Sequence, residues 1–328
     1  MMRRRELLAG AAALATPALA RTAHAQSGWA PTRSINMLVP LGPGSTADIL
    51  ARVMADIWSQ RLGQAVVVEN RPAAGGIVAT EALKNAPPDG YTVGLASQGT
   101  MVFNAFLRSD MRYDARRDFA FVTPFAVVTN ALVVPKDSSY HTVADLIAAA
   151  KAKPGSINYS SGGNGTSHHI SMALLAQVTG TQLVHVPYRT APAGILAVIN
   201  REVQAGCYNI PTVLTQIRAG ELRCLGVTSA ARSEFLPEVP SLKEQGLTNY
   251  ELTTWMGLAL PLGTPAPVVS RFAEETRRAL ADEAVWAKLR DQGFERIPPM
   301  DPATFTRFIE EDLDKWRPIF TAAGLRAD

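Results

Sequence analysis

The apolar positions of this chain fall into short blocks whose period switches repeatedly between that of a strand and that of a helix. Residues 35–39 are a brief apolar run that stops at Pro40. Over residues 47–62, Ile49, Leu50, Val53, Met54, Ile57, Trp58 and Leu62 recur at i, i+3 and i+4, the spacing of an amphipathic helix. The same switching predicts strands over 66–69 and 92–96 with a helix over 77–85 between them. After Asp118 an extended stretch leads into a strand-like run over 130–135. The middle of the chain predicts helices over 143–153, 166–179, 192–200 and 213–219, separated by strands over 157–160, 183–187, 203–208 and 223–227. A strand over 253–260 and helices over 268–280, 283–292 and 302–322 close the chain. Strands alternating with helices imply an α/β architecture with largely parallel sheets. No Pro-, Gly- and Ser-rich linker divides the chain, so two lobes would have to be joined by ordered crossing segments.

The first 25 residues follow a different pattern. Arg3, Arg4 and Arg5 precede an Ala-rich apolar run over 7–20, and Ala23-His24-Ala25 provides a small-x-small cleavage site, which sets the mature start at Gln26. These are the marks of a secretory signal peptide, and Arg4-Arg5-Glu6-Leu7-Leu8 also looks like a twin-arginine export signal. The apolar run is too short for a membrane anchor, so a periplasmic location is expected. The segment also accounts for the charge. The whole chain is at +3, and the first 25 residues, with four Arg and one Glu, carry all of that excess. A near-neutral remainder gives no electrostatic footprint for nucleic acid or an anionic membrane. Cys207 and Cys224 could pair in an oxidising compartment, but both sit in strand-like apolar runs, where buried free thiols are common.

Two loops carry the candidate chemistry. Pro40-Leu41-Gly42-Pro43-Gly44-Ser45-Thr46-Ala47-Asp48 joins the first strand to the first strong helix. Its glycines leave backbone N–H groups open, and the helix start adds unpaired donors and a positive dipole end, a seat for a carboxylate or phosphate. Ser45 and Asp48 have capping-box spacing, so Asp48 braces the loop rather than touching an anion. Ser160-Ser161-Gly162-Gly163-Asn164-Gly165-Thr166-Ser167-His168-His169 likewise follows a strand and opens a helix. Its four hydroxyl residues and three glycines offer many donors to an oxygen-rich ligand. Ligands of open α/β sheets bind at the carboxyl ends of strands, and two such loops suggest two walls of one cleft.

Enzyme motifs do not fit these residues. Gly163-Asn164-Gly165 could begin a dinucleotide fingerprint, but His168 stands at the last glycine position and no acid occurs between Thr166 and Arg201. Ser97 lacks the G-x-S-x-G frame of a nucleophile elbow. His168 and His169 are adjacent and point about 100° apart on a helix, so they cannot share a metal as an i, i+4 pair would. No catalytic residue, metal or cofactor is expected.

Across these loops the chain resembles the Bug-type solute receptors, the substrate-binding components of tripartite tricarboxylate transport systems. The resemblance begins near Ser34 and runs to the C-terminus. It includes Val39-Pro40 through Asp48, Val68-Glu69-Asn70-Arg71-Pro72-Ala73-Ala74-Gly75-Gly76, and Ala86-Pro87-Pro88-Asp89-Gly90-Tyr91-Thr92. It continues through Lys153-Pro154-Gly155, the glycine loop to His169, His185-Val186-Pro187-Tyr188, Ala219-Gly220, Trp255-Met256-Gly257-Leu258 and Gly263-Thr264-Pro265-Ala266-Pro267. The resemblance implies a two-lobed periplasmic-binding-protein fold, the type II-like Venus flytrap, with ligand in the interlobe cleft. Residues 26–126 and 228–328 would form one discontinuous lobe and 127–227 the other, closing by a hinge motion. Carried over by position, it nominates Gly44, Ser45, Thr46 and Asp48, with Ser161, Gly165, Thr166 and His169, as the carboxylate grip. By the same resemblance Ser97, Gly99 and Thr100 would form a further cleft segment, with Tyr188, Arg189 and Tyr208 facing from the other lobe. The implied partners are a small organic acid and membrane permease subunits, or a sensor protein in their place; the receptor itself would be a monomer and not an enzyme, a periplasmic hydrolase being the remote alternative.

Departures from the family pattern bear on the ligand. Gly42, Ser45 and Thr46 stand where the family usually has proline, glycine and proline. Gln204 and Tyr208 replace frequent acids, and Ala173 lies near a usual glutamate. Tyr208 in place of an acid removes a partner for an amino group and adds an aromatic wall, which favours an aromatic or uncharged-tail acid over an amino acid. Trp255 is expected to pack at a crossing segment.

Overall fold

The computed structural model describes residues 28–325, so the export signal expected over the first 25 residues lies outside the described residues. In chain order the elements are β1 (Ile35–Val39), α1 (Thr46–Leu62), β2 (Val66–Asn70), α2 (Ile77–Lys84) and β3 (Thr92–Ser97). A π turn (Gly99–Phe103) and α3 (Asn104–Leu107) precede β4 (Phe119–Pro135). Then come α4 (Val143–Ala152), β5 (Ile157–Ser161), α5 (Ser167–Thr179), β6 (Leu183–Pro187), α6 (Ala191–Ile199), β7 (Ala205–Asn209), α7 (Ile210–Arg218) and β8 (Leu222–Val227). The chain ends with β9 (Thr253–Pro261), α8 (Ala266–Ala281), α9 (Glu283–Asp291) and α10 (Pro302–Ala323). Apart from the π turn and α3, these are the elements the periodicity predicts.

The strands run in the order β2-β1-β3-β9-β4-β7-β5-β6, with β8 also on β4. Both outer blocks, β2-β1-β3 and β7-β5-β6, are parallel. The centre is not: β9 is antiparallel to β3 and β4, and β4 is antiparallel to β7 and β8. The expected largely parallel sheet is therefore mixed. The cause is topological, since a chain that leaves one lobe and returns must cross in opposite directions. β4 makes the outward crossing, pairing β9 along residues 119–129 and then β7 and β8 along 130–135. Its register shifts around Pro124, which has no N–H to give to a ladder.

Three apolar clusters hold the layers. Under α1, Trp58 is fully buried and meets Phe125 and Phe272 edge-on, with ring centroids 5.6 and 5.5 Å apart. A second cluster runs beneath the π turn and α10, where Phe103, Trp255, Phe305 and Trp316 pack together, and continues under α5. A third lies beneath α6 and α7. Trp255 packs there as expected, its ring edge against Phe305 at 5.4 Å.

Both cysteines are free. Cys207 on β7 is opposite Leu132, while Cys224 on β8 is opposite Val133 on the other side of β4. The two residues are thus roughly 9–10 Å apart at the backbone and on opposite sheet faces, beyond the ~7 Å that a disulfide spans. Alkylation of the unfolded protein without reductant should add two adducts by intact mass, one at Cys207 and one at Cys224; an unmodified mass would overturn this separation.

Candidate functional site

The first loop is fixed from inside. The Ser45 side chain caps α1 by accepting from the Asp48 N–H at 3.3 Å, and Asp48 Oδ2 accepts from the Gly44 N–H at 2.9 Å. Arg52, one turn on, donates to the same carboxylate at 3.1 Å. Burial raises the Asp48 pKa, but the bonds from Arg52, Gly44 and Asn70 and the Arg52 charge outweigh it and hold the carboxyl below its ordinary range. Asn70 ties the end of β2 to the loop by donating to the Leu41 carbonyl at 2.9 Å. Asp48 is a brace, as its spacing predicts.

The second loop is fixed in the same way. Thr166 caps α5 and donates to the Gly163 carbonyl at 2.7 Å, while Gly163 N–H donates to Ser161 Oγ at 3.0 Å. His168 Nδ1 accepts from Gly162 N–H at 3.3 Å, which places the ring proton on Nε2, where it donates to Asn209 Oδ1 at 3.1 Å. Thr46 Oγ1 reaches the same Asn209 oxygen from α1 at 3.0 Å. The Asn209 amide donates in turn to Asn130 and to Ser167 Oγ. The starts of α1 and α5 are thus stitched together through one asparagine at the end of β7.

Between these helix starts lies a cavity of about 30 Å³, room for a single small polar group. Its lining includes Thr46, Ala47, Ser167 and His168. The N–H groups of these four precede the first intrahelical bonds and have no protein partner among the described residues. Ser97, Thr100 and Thr254 add hydroxyls; Thr254 is 6% exposed and its Oγ1 has no partner. No Asp, Glu, Lys or Arg lines this cavity. A second cavity of about 350 Å³ adjoins it, sharing Leu41 and Gly75, and its lining includes Arg108 and Arg189. The walls approach so closely that a Cβ on Gly165, already at φ +79°, would overlap Asn104 Oδ1.

Of the residues nominated from sequence, Thr46, Ser97, Gly99, Thr100, Gly165 and Thr166 line the small cavity. Gly44, Ser45, Asp48 and Ser161 support the loops, and Tyr188 and Arg189 line the larger cavity. Two expectations need correction. Tyr208 is fully buried, donates to Ser160 Oγ at 2.7 Å and fills space left by Gly194 of α6. Alternation along β7 turns it toward the core while Asn209 reaches the cleft, so the argument for an aromatic acid loses its basis. His169 is the second. Its ring stacks on His185 with centroids 4.1 Å apart and lines an outer groove instead, and His168 takes the place at the cavity. Ser167, His168, Asn209 and Thr254 are cavity residues that sequence reasoning did not nominate. Asn209 had one signal, its position between a strand and Pro211 at a helix start.

Burial lowers the pKa of His168 to about 4 and of His185 to about 4; burial together with the neighbouring His185 lowers that of His169 to about 3. An unfolded histidine titrates near 6.5. Below that pH the unfolded chain binds more protons than the folded one, so the stability present above about 6.5 is lost as pH falls toward 4. The thermal midpoint should fall between pH 6.5 and about 4.5, and His168→Gln should flatten that slope; a midpoint constant over the window would mean that water reaches these rings.

The sequence profile described as "Tripartite tricarboxylate transporter family receptor" matches residues 50–325. A protein from the tcbD–tcbE intergenic region of a Pseudomonas strain is 34% identical over 326 residues, covering 99% of this chain and 96% of the relative. BugT of Bordetella pertussis is 30% identical over 298 residues, covering 90% and 91%. Among solved structures, an R. palustris protein with adipate superposes at TM-score 0.87 with 31% identity, covering 90% of this chain and 99% of the other. MatC from Rhodopseudomonas palustris with bound malate superposes at 0.84 with 25% identity, covering 88% and 99%. In sequence and in fold alike, this chain belongs to the receptor family of the tripartite tricarboxylate transporters.

Proposed function

We propose that this chain is a periplasmic receptor for a small dicarboxylic acid, which it holds between lobes made of residues 26–126 with 228–328 and residues 127–227, for delivery to membrane partners of a tripartite tricarboxylate system. The observation that carries the reading is the small cavity where the unpaired N–H groups of Thr46 and Ala47 face those of Ser167 and His168. Two helix N-termini present partial positive charge there without a cation, and a carboxylate is the ligand group that uses those donors. The adjoining cavity, with Arg189 and with Arg108, whose guanidinium already donates to Asp110 at 2.8 and 2.7 Å, suits a second carboxylate at the far end of a short chain. The adipate and malate bound by structural neighbours have this chemistry.

The site's chemistry favours binding over turnover. Ser161 Oγ and His185 Nε2 are 2.6 Å apart, the contact of a nucleophile and its base. Ser161 is fully buried, however, and its Oγ is engaged with its own loop at Gly163. The small cavity offers hydroxyl and peptide donors and a histidine held neutral by burial, without a titratable pair over the ligand position.

Titration of the mature protein with adipate, malate and citrate, and with hexanoate and adipamide as controls, tests the reading. Adipate or malate, the two diacids, should bind one to one and, at a hundredfold excess over Kd, stabilise the fold by about 2.7 kcal/mol. Adipamide should not bind. Thr254→Val, which deletes an unpaired hydroxyl, should weaken the binding by about tenfold. A thermal midpoint unmoved by every acid would remove the carboxylate grip.

A further inference from the structure

We propose that Asp312 is a positioning residue that holds two segments of one cleft wall in place from behind. It lies on α10 and is only 7% exposed. A single carboxylate oxygen, Oδ2, accepts from Gln98 Nε2 at 2.8 Å and from Trp255 Nε1 at 2.8 Å. Both donors are buried side chains, and each belongs to a residue whose neighbours in the chain line the small cavity. Gln98 sits between Ser97 and Gly99, which line the small cavity together with Thr100. Trp255 sits between Thr254 and Met256, which line it too. Side chains alternate across a strand, so Trp255 turns back toward α10 while its two neighbours face the ligand position.

The wall needs such a tie because of its local geometry. The segment after β3 is a π turn, a rare form whose shape is set by what surrounds it. α10 supplies those surroundings: Trp316 packs edge-on against Phe103 with centroids 4.9 Å apart, and Asp312 fixes the residue just before the turn. Bonds to a charged acceptor are stronger than neutral ones. A Gln98 or Trp255 N–H left unpaired in this apolar layer would be costly, so the bonds hold the π turn and β9 at a fixed spacing. No residue of α10 lines the small cavity. Asp312 therefore acts on binding only indirectly, and its hydrogen bonds run to Gln98 and Trp255.

The test has two arms, and only the second rests on the receptor reading above. In the first, amide hydrogen exchange is followed in the ligand-free mature protein well below its thermal midpoint. Asp312→Leu should speed exchange over residues 97–103 by about tenfold, with α1 and α5 unchanged. Asp312→Asn, which keeps an oxygen in the accepting position, should remain within about threefold of the parent protein. If the leucine variant does not fold, Trp255→Phe, which keeps the ring and removes one donor, should show the same local change at smaller size. In the second arm, whichever of adipate, malate and citrate binds the parent protein should bind Asp312→Leu about tenfold more weakly and Asp312→Asn nearly as well as the parent. Exchange that is unchanged over 97–103, or that rises equally throughout the chain, overturns the proposal. So does an asparagine variant as impaired as the leucine one. If none of the three acids binds the parent protein, the receptor reading fails while the exchange arm still decides the role of Asp312.

Discussion

A peptide N–H that is buried without a partner costs roughly 1–3 kcal/mol, and this fold keeps a set of them facing one another across a gap that holds a single small group. Thr46 and Ala47 on one side, Ser167 and His168 on the other, are all buried. Apart from the unpartnered Thr254 hydroxyl, the neighbouring structure removes the other demands on that space. Ser45 and Thr166 cap their helices by accepting from the third residue on and leave the first two N–H groups alone. Asp48 and Ser161 satisfy the loops from within. Asn209 takes the Thr46 hydroxyl and the His168 ring at once, so neither is left to compete for the gap.

Much of this was legible in the sequence because it is local. The two glycine loops, their following helices and the bracing role of Asp48 depend on spacings of three or four residues. Where the relevant partner is far away in the chain, the sequence carried little signal. The π turn at Gly99–Phe103 has no periodicity of its own and owes its shape to α10. Thr254 looks like any strand threonine until β9 is placed between β3 and β4. Tyr208 and Asn209 are adjacent in sequence, and only the direction of β7's pleat decides which of them reaches the cleft. The same limit explains His168 and His169, where the helix phase selects one ring for the cavity and sends the other onto His185.

Charge is distributed to match. The small cavity is neutral throughout, whereas Arg108 and Arg189 stand at the wider cavity beside it. Dipoles and hydroxyls suit a buried carboxylate because they impose no charged group to be desolvated when the gap is empty. Guanidinium groups suit the wetter end, where water shares the load. Two chemically different linings are thereby built from one sheet and its loops.

β4 and β9 are hydrogen-bonded to each other from Phe119–Pro261 to Thr129–Thr253 and run in opposite directions. Two separate linkers would let one half of the molecule slide, twist or swing relative to the other. A paired ribbon resists sliding, because any slip breaks its ladder and, by a single residue, turns every side chain to the wrong face. It yields far more easily to bending across its flat face. The ladder ends at Thr129–Thr253, and β4 continues past it onto β7 and β8, so the passage of the chain between the two halves lies at the end of a ribbon that is itself held in register.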